Sequence, residues 1–159
     1  MNFKYVDFEK VTSHYSEYRK GVNHINEKKS EFLNDIEPIR KEMNQIISSA
    51  SSGLIVDNRT QQQKSERFQQ LQSEIMKKDS EFKQELKKLT DELNVSTYDY
   101  LSEIIGKWAQ DNEVDVVSSK METIFVNEKY DATENILDLL RELEQYVQIS
   151  EKLEEEVQN

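Results

Sequence analysis

The stretch VNHINEKKSEFLNDIEPIRKEMNQI (residues 22–46) places the strongest single constraint on how this chain folds. Apolar residues recur along it at alternating spacings of three and four, and only Lys29 interrupts the series. The series consists of Val22, Ile25, Phe32, Ile36, Ile39, Met43 and Ile46. Such a narrow apolar stripe predicts a helix that packs against a partner helix, as in a coiled coil. Pro38 lies inside the stripe and predicts a kink, because proline removes one helical hydrogen bond.

A turn and a second long helix are predicted after this stripe. Residues 48–60, SSASSGLIVDNRT, interrupt the pattern with serines and a glycine. The next helix runs from about residue 60 toward Trp108 and carries two apolar series that are shifted relative to each other. These series are Phe68, Leu71 and Ile75, followed by Phe82, Leu86, Leu89 and Leu93. Two long helices joined by one turn predict an antiparallel hairpin, which we assign to residues 22–106 with its tip near 48–60.

Three apolar residues, Leu54, Ile55 and Val56, fall within the predicted tip. They either pack the turn or contact a client protein, since exposed apolar groups often mark binding surfaces. On the second of these readings, the three residues are the candidates for contact with a bound protein.

The two ends of the chain predict a small mixed body. Residues 3–8 alternate apolar and polar side chains, as a strand does, and an amphipathic helix follows, with Gly21 as a possible bend. Two further strands are predicted at 114–117 and 123–126, paired as an antiparallel hairpin. Asp131-Ala132-Thr133 then opens the last helix, with Asp131 or Thr133 as its cap.

These predictions define an α+β fold that is predominantly helical, with a small antiparallel β body and a long antiparallel α-hairpin arm. The body comprises residues 1–21 and 107–147, and residues 148–159 form an acidic helix extension or tail. A sheet this small leaves open edges, which other copies of the chain would cover. The candidates for contacts between copies are Val6, Phe8, Val116, Ile124, Phe125, Ile136 and Leu140.

Composition and charge exclude several classes of function. Of the 159 residues, 35% are hydrophobic and 33% are charged, a balance that is typical of long exposed helices. The net charge of −11 provides no basic patch for a nucleic acid. The sequence contains no run of about 18 apolar residues, so we expect no membrane span. The first residues, MNFKYVDFEK, contain no apolar run typical of a leader, so we expect a cytoplasmic protein, or a periplasmic one if a native leader was removed.

The sequence offers no site for enzymatic chemistry. His14 and His24 are ten residues apart, without a second histidine or a cysteine at helical spacing, so we expect no metal. The chain has no cysteine, and its three glycines form no phosphate-binding motif. We therefore expect no catalytic residues and no cofactor.

Both ends of the chain resemble the OmpH/Skp family of jellyfish-shaped holdase chaperones. The resemblance rests on KYVDFEKVTSHYSEYRK (4–20) and on VDVVSSKMETIFVNEKYDATENILDLLREL (114–143), in which YDAT precedes an apolar-faced helix. It implies a homotrimer whose arms enclose unfolded or assembling client proteins without ATP. An alternative is a structural or assembly protein, for example in viral morphogenesis, that uses the same trimeric coiled coils to bridge fixed partners.

Overall fold

The computed structural model describes residues 1–53 and 57–158. Its elements, in chain order, are β1 (Phe3–Val6), α1 (Phe8–His14), α2 (Ser16–Ser51), α3 (Asn58–Asp111), β2 (Val116–Ser119), two short 3-10 turns (Lys120–Glu122 and Glu128–Tyr130) and α4 (Thr133–Gln158). The chain divides into two compact units. The first unit contains Met1–Val22 and the residues from Leu93 onward, and the second contains Asn23–Glu92.

The second unit is an antiparallel pair of helices. The rings of Phe32 and Phe82 stack with centroids 4.2 Å apart. Toward the end of α2, the Arg67 guanidinium donates two hydrogen bonds, of 2.7 and 3.0 Å, to the Glu42 carboxylate. In these contacts, the residue with the higher number on α2 meets the residue with the lower number on α3, so the two helices run antiparallel. The antiparallel hairpin predicted from the heptads is therefore confirmed within this unit. Leu54, Ile55 and Val56 at its predicted tip lie outside the described residues.

The first unit surrounds a core that draws residues from both ends of the chain. Nine buried residues form this core: Val6, Val11, Leu101, Ile104, Ile105, Ala132, Ile136, Leu137 and Leu140. Residues 101–105 belong to α3, which continues unbroken from the second unit. The compact units therefore divide at Leu93, whereas the sequence pattern placed residues 93–106 in the arm. An uninterrupted helix carries no local signal for such a boundary.

The sheet differs from the predicted one. β1 and β2 pair in parallel, with Phe3 opposite Val116 and Val6 opposite Ser119. The predicted antiparallel pairing of 114–117 with 123–126 is therefore wrong, because β2 takes its partner from the other end of the chain. Parallel strands need a long crossover connection, which α1, α2 and α3 provide here.

Residues 123–126 are not a strand, although their side chains favour one. Directly after β2 the chain turns away, because the Ser119 hydroxyl accepts a hydrogen bond from the Met121 amide. The Thr123 hydroxyl then donates to the Lys120 carbonyl at 2.8 Å. These short-range hydrogen bonds stabilise a 3-10 turn in place of the turn of a β-hairpin.

Gly21 does not break a helix, contrary to the prediction of a bend there. The break falls earlier, at Tyr15, where α1 has ended at His14 and before α2 begins at Ser16. Gly21 lies inside α2, and a Cβ atom at this position would overlap the side chain of Leu93 on α3. The glycine is thus a point of close approach between two helices within the first unit.

Candidate oligomerisation surface

A group of polar contacts around Asp131 joins β1, α1 and α4. Asp131 accepts hydrogen bonds from the amide and the hydroxyl of Thr133, and it pairs with the Lys120 ammonium at 2.6 Å. The Thr133 hydroxyl in turn accepts from the Asp7 amide at 2.9 Å, and the Ala132 amide donates to the Tyr5 carbonyl at 2.8 Å. Of the two candidate caps, Asp131 thus caps the start of α4 with its carboxylate. The YDAT motif (residues 130–133) anchors this last helix to the first strand.

The charge of Asp131 is stabilised in the folded state. Burial alone would raise its pKa, but the hydrogen bonds from Lys120 and Thr133 together outweigh that effect and lower the pKa from 3.8 to about 2. Since the folded pKa lies below the unfolded one, the ionised carboxylate stabilises the fold above about pH 4. This contribution is lost as the pH falls toward 2.

We expect Asp131→Asn to lower the free energy of unfolding by about 1–2 kcal/mol at pH 7, because the amide cannot pair with the Lys120 ammonium. The deficit relative to wild type should shrink by roughly half at pH 3, where the unfolded wild-type carboxylate is already protonated. Urea unfolding at both pH values measures this difference. Asp35→Asn, at an exposed position of α2, is the matched control. An equal deficit at both pH values would contradict the role given to the charge.

The structure separates the seven candidates for trimer contacts into two groups. Val6, Ile136 and Leu140 are buried in the core of the single chain. Phe8 packs against that core, and its ring centroid lies 5.7 Å from the ring centroid of Tyr98. The remaining three, Val116, Ile124 and Phe125, are exposed. The exposed group therefore contains the candidates whose side chains are available to another copy.

These three residues belong to a larger exposed apolar group on the first unit, named here the body surface. Its members are Met1, Phe3, Val116, Met121, Ile124, Phe125 and Tyr130. Ile124 is fully exposed and Phe125 is 81% exposed. Phe125 also lines a cleft of about 440 Å³ together with Phe3 and Tyr130. Sequence reasoning missed Met1, Phe3, Met121 and Tyr130, because an apolar residue type does not reveal which side chains the folded chain leaves exposed.

The far edge of β2 is a second feature of the first unit that suits contact with another copy. Within residues 1–53 and 57–158, β1 is the one strand paired with β2, so the far edge of β2 has no strand beside it. An open strand edge presents unpaired N–H and C=O groups and is a template for pairing with another chain. The first unit thus presents exposed apolar side chains and a strand edge that no other described strand covers.

Among the described residues, no group of three or more His, Asp or Glu side chains could hold a metal ion. Burial raises the pKa of Tyr15 to about 12 and also raises the pKa of Tyr100, whose ring meets that of Tyr15 edge to face. Both phenols are neutral near pH 7 and act as packing groups.

No helix in the described part of the chain is long and apolar enough to cross a membrane. A family model described as outer membrane protein (OmpH-like) matches residues 2–140. The match covers the second unit and most of the first, including the YDAT motif, and it ends inside α4. No curated protein matches the chain.

Proposed function

Because the chain belongs to the OmpH-like family, we propose that it is an ATP-independent holdase whose three copies enclose non-native proteins between their helical hairpins. At the level of the family it is a chaperone of the Skp/OmpH type, and that family is non-enzymatic and of the periplasmic type. The family match over residues 2–140 is the observation that carries the proposal. A cytoplasmic location remains an alternative to a periplasmic one.

The body surface supports the trimer. Ile124 and Phe125 are neighbours in sequence and lie in water in the single chain. Burying apolar area contributes about 25 cal/mol per Å², so covering these side chains favours association. Association would also pair the open edge of β2, for which the strand-prone residues 123–126 of another copy are a suitable partner.

The helical hairpin supports weak and general contact with clients. Three of its large apolar side chains, Leu33, Ile47 and Met76, are at least half exposed. Around them, i,i+4 ion pairs such as Lys83–Asp79 and Lys77–Glu81 keep the helix surface hydrated. Scattered apolar groups on a charged surface suit the binding of many unfolded chains better than one rigid interface. Leu54, Ile55 and Val56 remain proposed client contacts.

A light-scattering assay tests the holdase. Chemically unfolded citrate synthase is diluted into buffer without ATP, alone or with increasing amounts of this protein. We expect aggregation to be suppressed, with saturation near one trimer per unfolded chain. An equal mass of serum albumin controls for simple crowding. Unchanged scattering at excess protein would refute the proposal.

The scaffold alternative predicts a different set of partners. A pull-down that yields one stoichiometric native protein would favour the scaffold, and a spread of unfolded proteins would favour the holdase. Replacing Leu54, Ile55 and Val56 with serines should weaken a fixed docking contact at the tip more than it weakens diffuse binding between the hairpins.

A further inference from the structure

Helix α4 continues beyond the part of the chain that resembles the family. The family match ends at residue 140, but α4 is helical to Gln158. In its first half, Ile136, Leu137 and Leu140 are buried in the core of the first unit. The second half therefore extends past the residues that fix the helix to this core.

This second half carries an apolar face of its own. Four large side chains are between 57% and 86% exposed and are named here the α4 stripe: Tyr146, Ile149, Leu153 and Val157. At about 100° per residue, their mean direction lies roughly 130–150° around the helix from the face that packs on the core. The spacings of three and four residues are those of a seam that receives another helix.

The charges around the stripe indicate what kind of helix would fit. Residues 141–158 contain six acidic and two basic side chains. Glu142 and Glu156 lie within about 65° of the centre of the stripe, whereas Arg141 and Lys152 lie more than about 100° from it. The apolar stripe is therefore bordered on one side by negative charge, and the positive charges lie on other faces.

We propose that the α4 stripe binds an amphipathic helix of a partner protein whose apolar face is flanked by lysine or arginine. The apolar faces would supply affinity, and the flanking cations would meet Glu142 and Glu156. The same acidic border disfavours two other occupants. Copies of α4 packed together would bring their carboxylates close to one another. An anionic membrane would repel the same carboxylates. This interaction is independent of the holdase proposal, since it uses residues beyond the family match.

A pair of synthetic peptides tests the proposal with the full chain. One is an 18-residue helix with a leucine face flanked by lysines, and its twin carries glutamates in place of the lysines. Fluorescence anisotropy should show binding of the lysine peptide alone, weakening from about 20 mM to about 300 mM salt. Leu153→Gln/Val157→Gln should weaken this binding at least about tenfold, since two exposed apolar contacts are removed. Val95→Gln, which removes a similarly exposed side chain from α3, should leave it unchanged.

A second variant pair isolates the charge. Glu142→Gln/Glu156→Gln should weaken binding of the lysine peptide at low salt. Glu27→Gln/Glu37→Gln changes the net charge equally at exposed positions of α2 and should have little effect.

Equal binding of both peptides, or full binding by the stripe variant, would overturn the proposal. A fall in oligomeric mass on mutating the stripe would assign it to a second copy, and binding of phosphatidylglycerol vesicles through it would assign it to a membrane. Either result would also overturn the proposal.

Discussion

Ile124→Glu/Phe125→Glu is expected to reduce the mass in solution from about three times the chain mass of 18.8 kDa to that of one chain. Both side chains lie on the body surface, where Ile124 is fully exposed and Phe125 is 81% exposed. In a trimer they would be buried, and a charge buried without a partner costs several kcal/mol. Multi-angle light scattering at several concentrations measures the mass.

The exposure of these two side chains makes this test specific to assembly. Because neither contributes to the core of the single chain, we expect the variant to keep the helical content of the wild type by circular dichroism. Ile47→Glu/Met76→Glu is the matched control, since both residues are exposed apolar positions in the second unit. A variant that still has the mass of the wild-type trimer would exclude this surface as the trimer contact. A monomeric wild-type protein would exclude the trimer itself.

Leu101→Ala should lower the free energy of unfolding by about 2–5 kcal/mol, because the substitution leaves a cavity in the core of the first unit. Leu101 is fully buried and belongs to the cluster that holds β1, α1 and α4 against α3. Urea unfolding at one fixed protein concentration measures the change, since association also contributes to apparent stability.

The control for this core substitution is Leu33→Ala in α2. Leu33 is 54% exposed, so its truncation should cost less than about 1 kcal/mol. A similarly small loss for Leu101→Ala would contradict the view that the two ends of the chain share one cooperative core. A large loss for Leu33→Ala would indicate that this side chain is covered in solution.

The helical hairpin was predictable because its signal is local. Heptad spacing between residues 22 and 46 identifies one helix, and the apolar series from Phe68 to Leu93 identifies its partner. The turn between them leaves the antiparallel arrangement as the one that buries both stripes. The stacking of Phe32 on Phe82 follows from these residues facing the same seam.

The pairing of the strands was not predictable in the same way. Residues 114–117 and 123–126 have the composition of adjacent strands, and nothing local shows that β2 pairs with β1 instead. The register of Phe3 with Val116 joins residues that are more than a hundred positions apart. Such pairing depends on where three helices return the chain, and side-chain preference does not contain that information.

The candidate trimer residues show the same division. Their apolar character was evident from the sequence, but the single chain buries Val6, Ile136 and Leu140 and exposes Ile124 and Phe125. Periodicity identifies which side chains share a face of a helix or strand. It does not identify which face meets the chain's own core and which lies in water.

The amino-acid pattern alone thus established the class of fold, the two long helices, the family resemblance and the region of the YDAT motif. These features depend on spacings of a few residues, which a linear chain records directly. The tertiary structure alone established the parallel sheet, the close approach at Gly21, the exposed body surface and the second apolar face of α4. Each of these depends on contacts between distant parts of the chain, or on their absence, and so requires the arrangement of the chain in three dimensions.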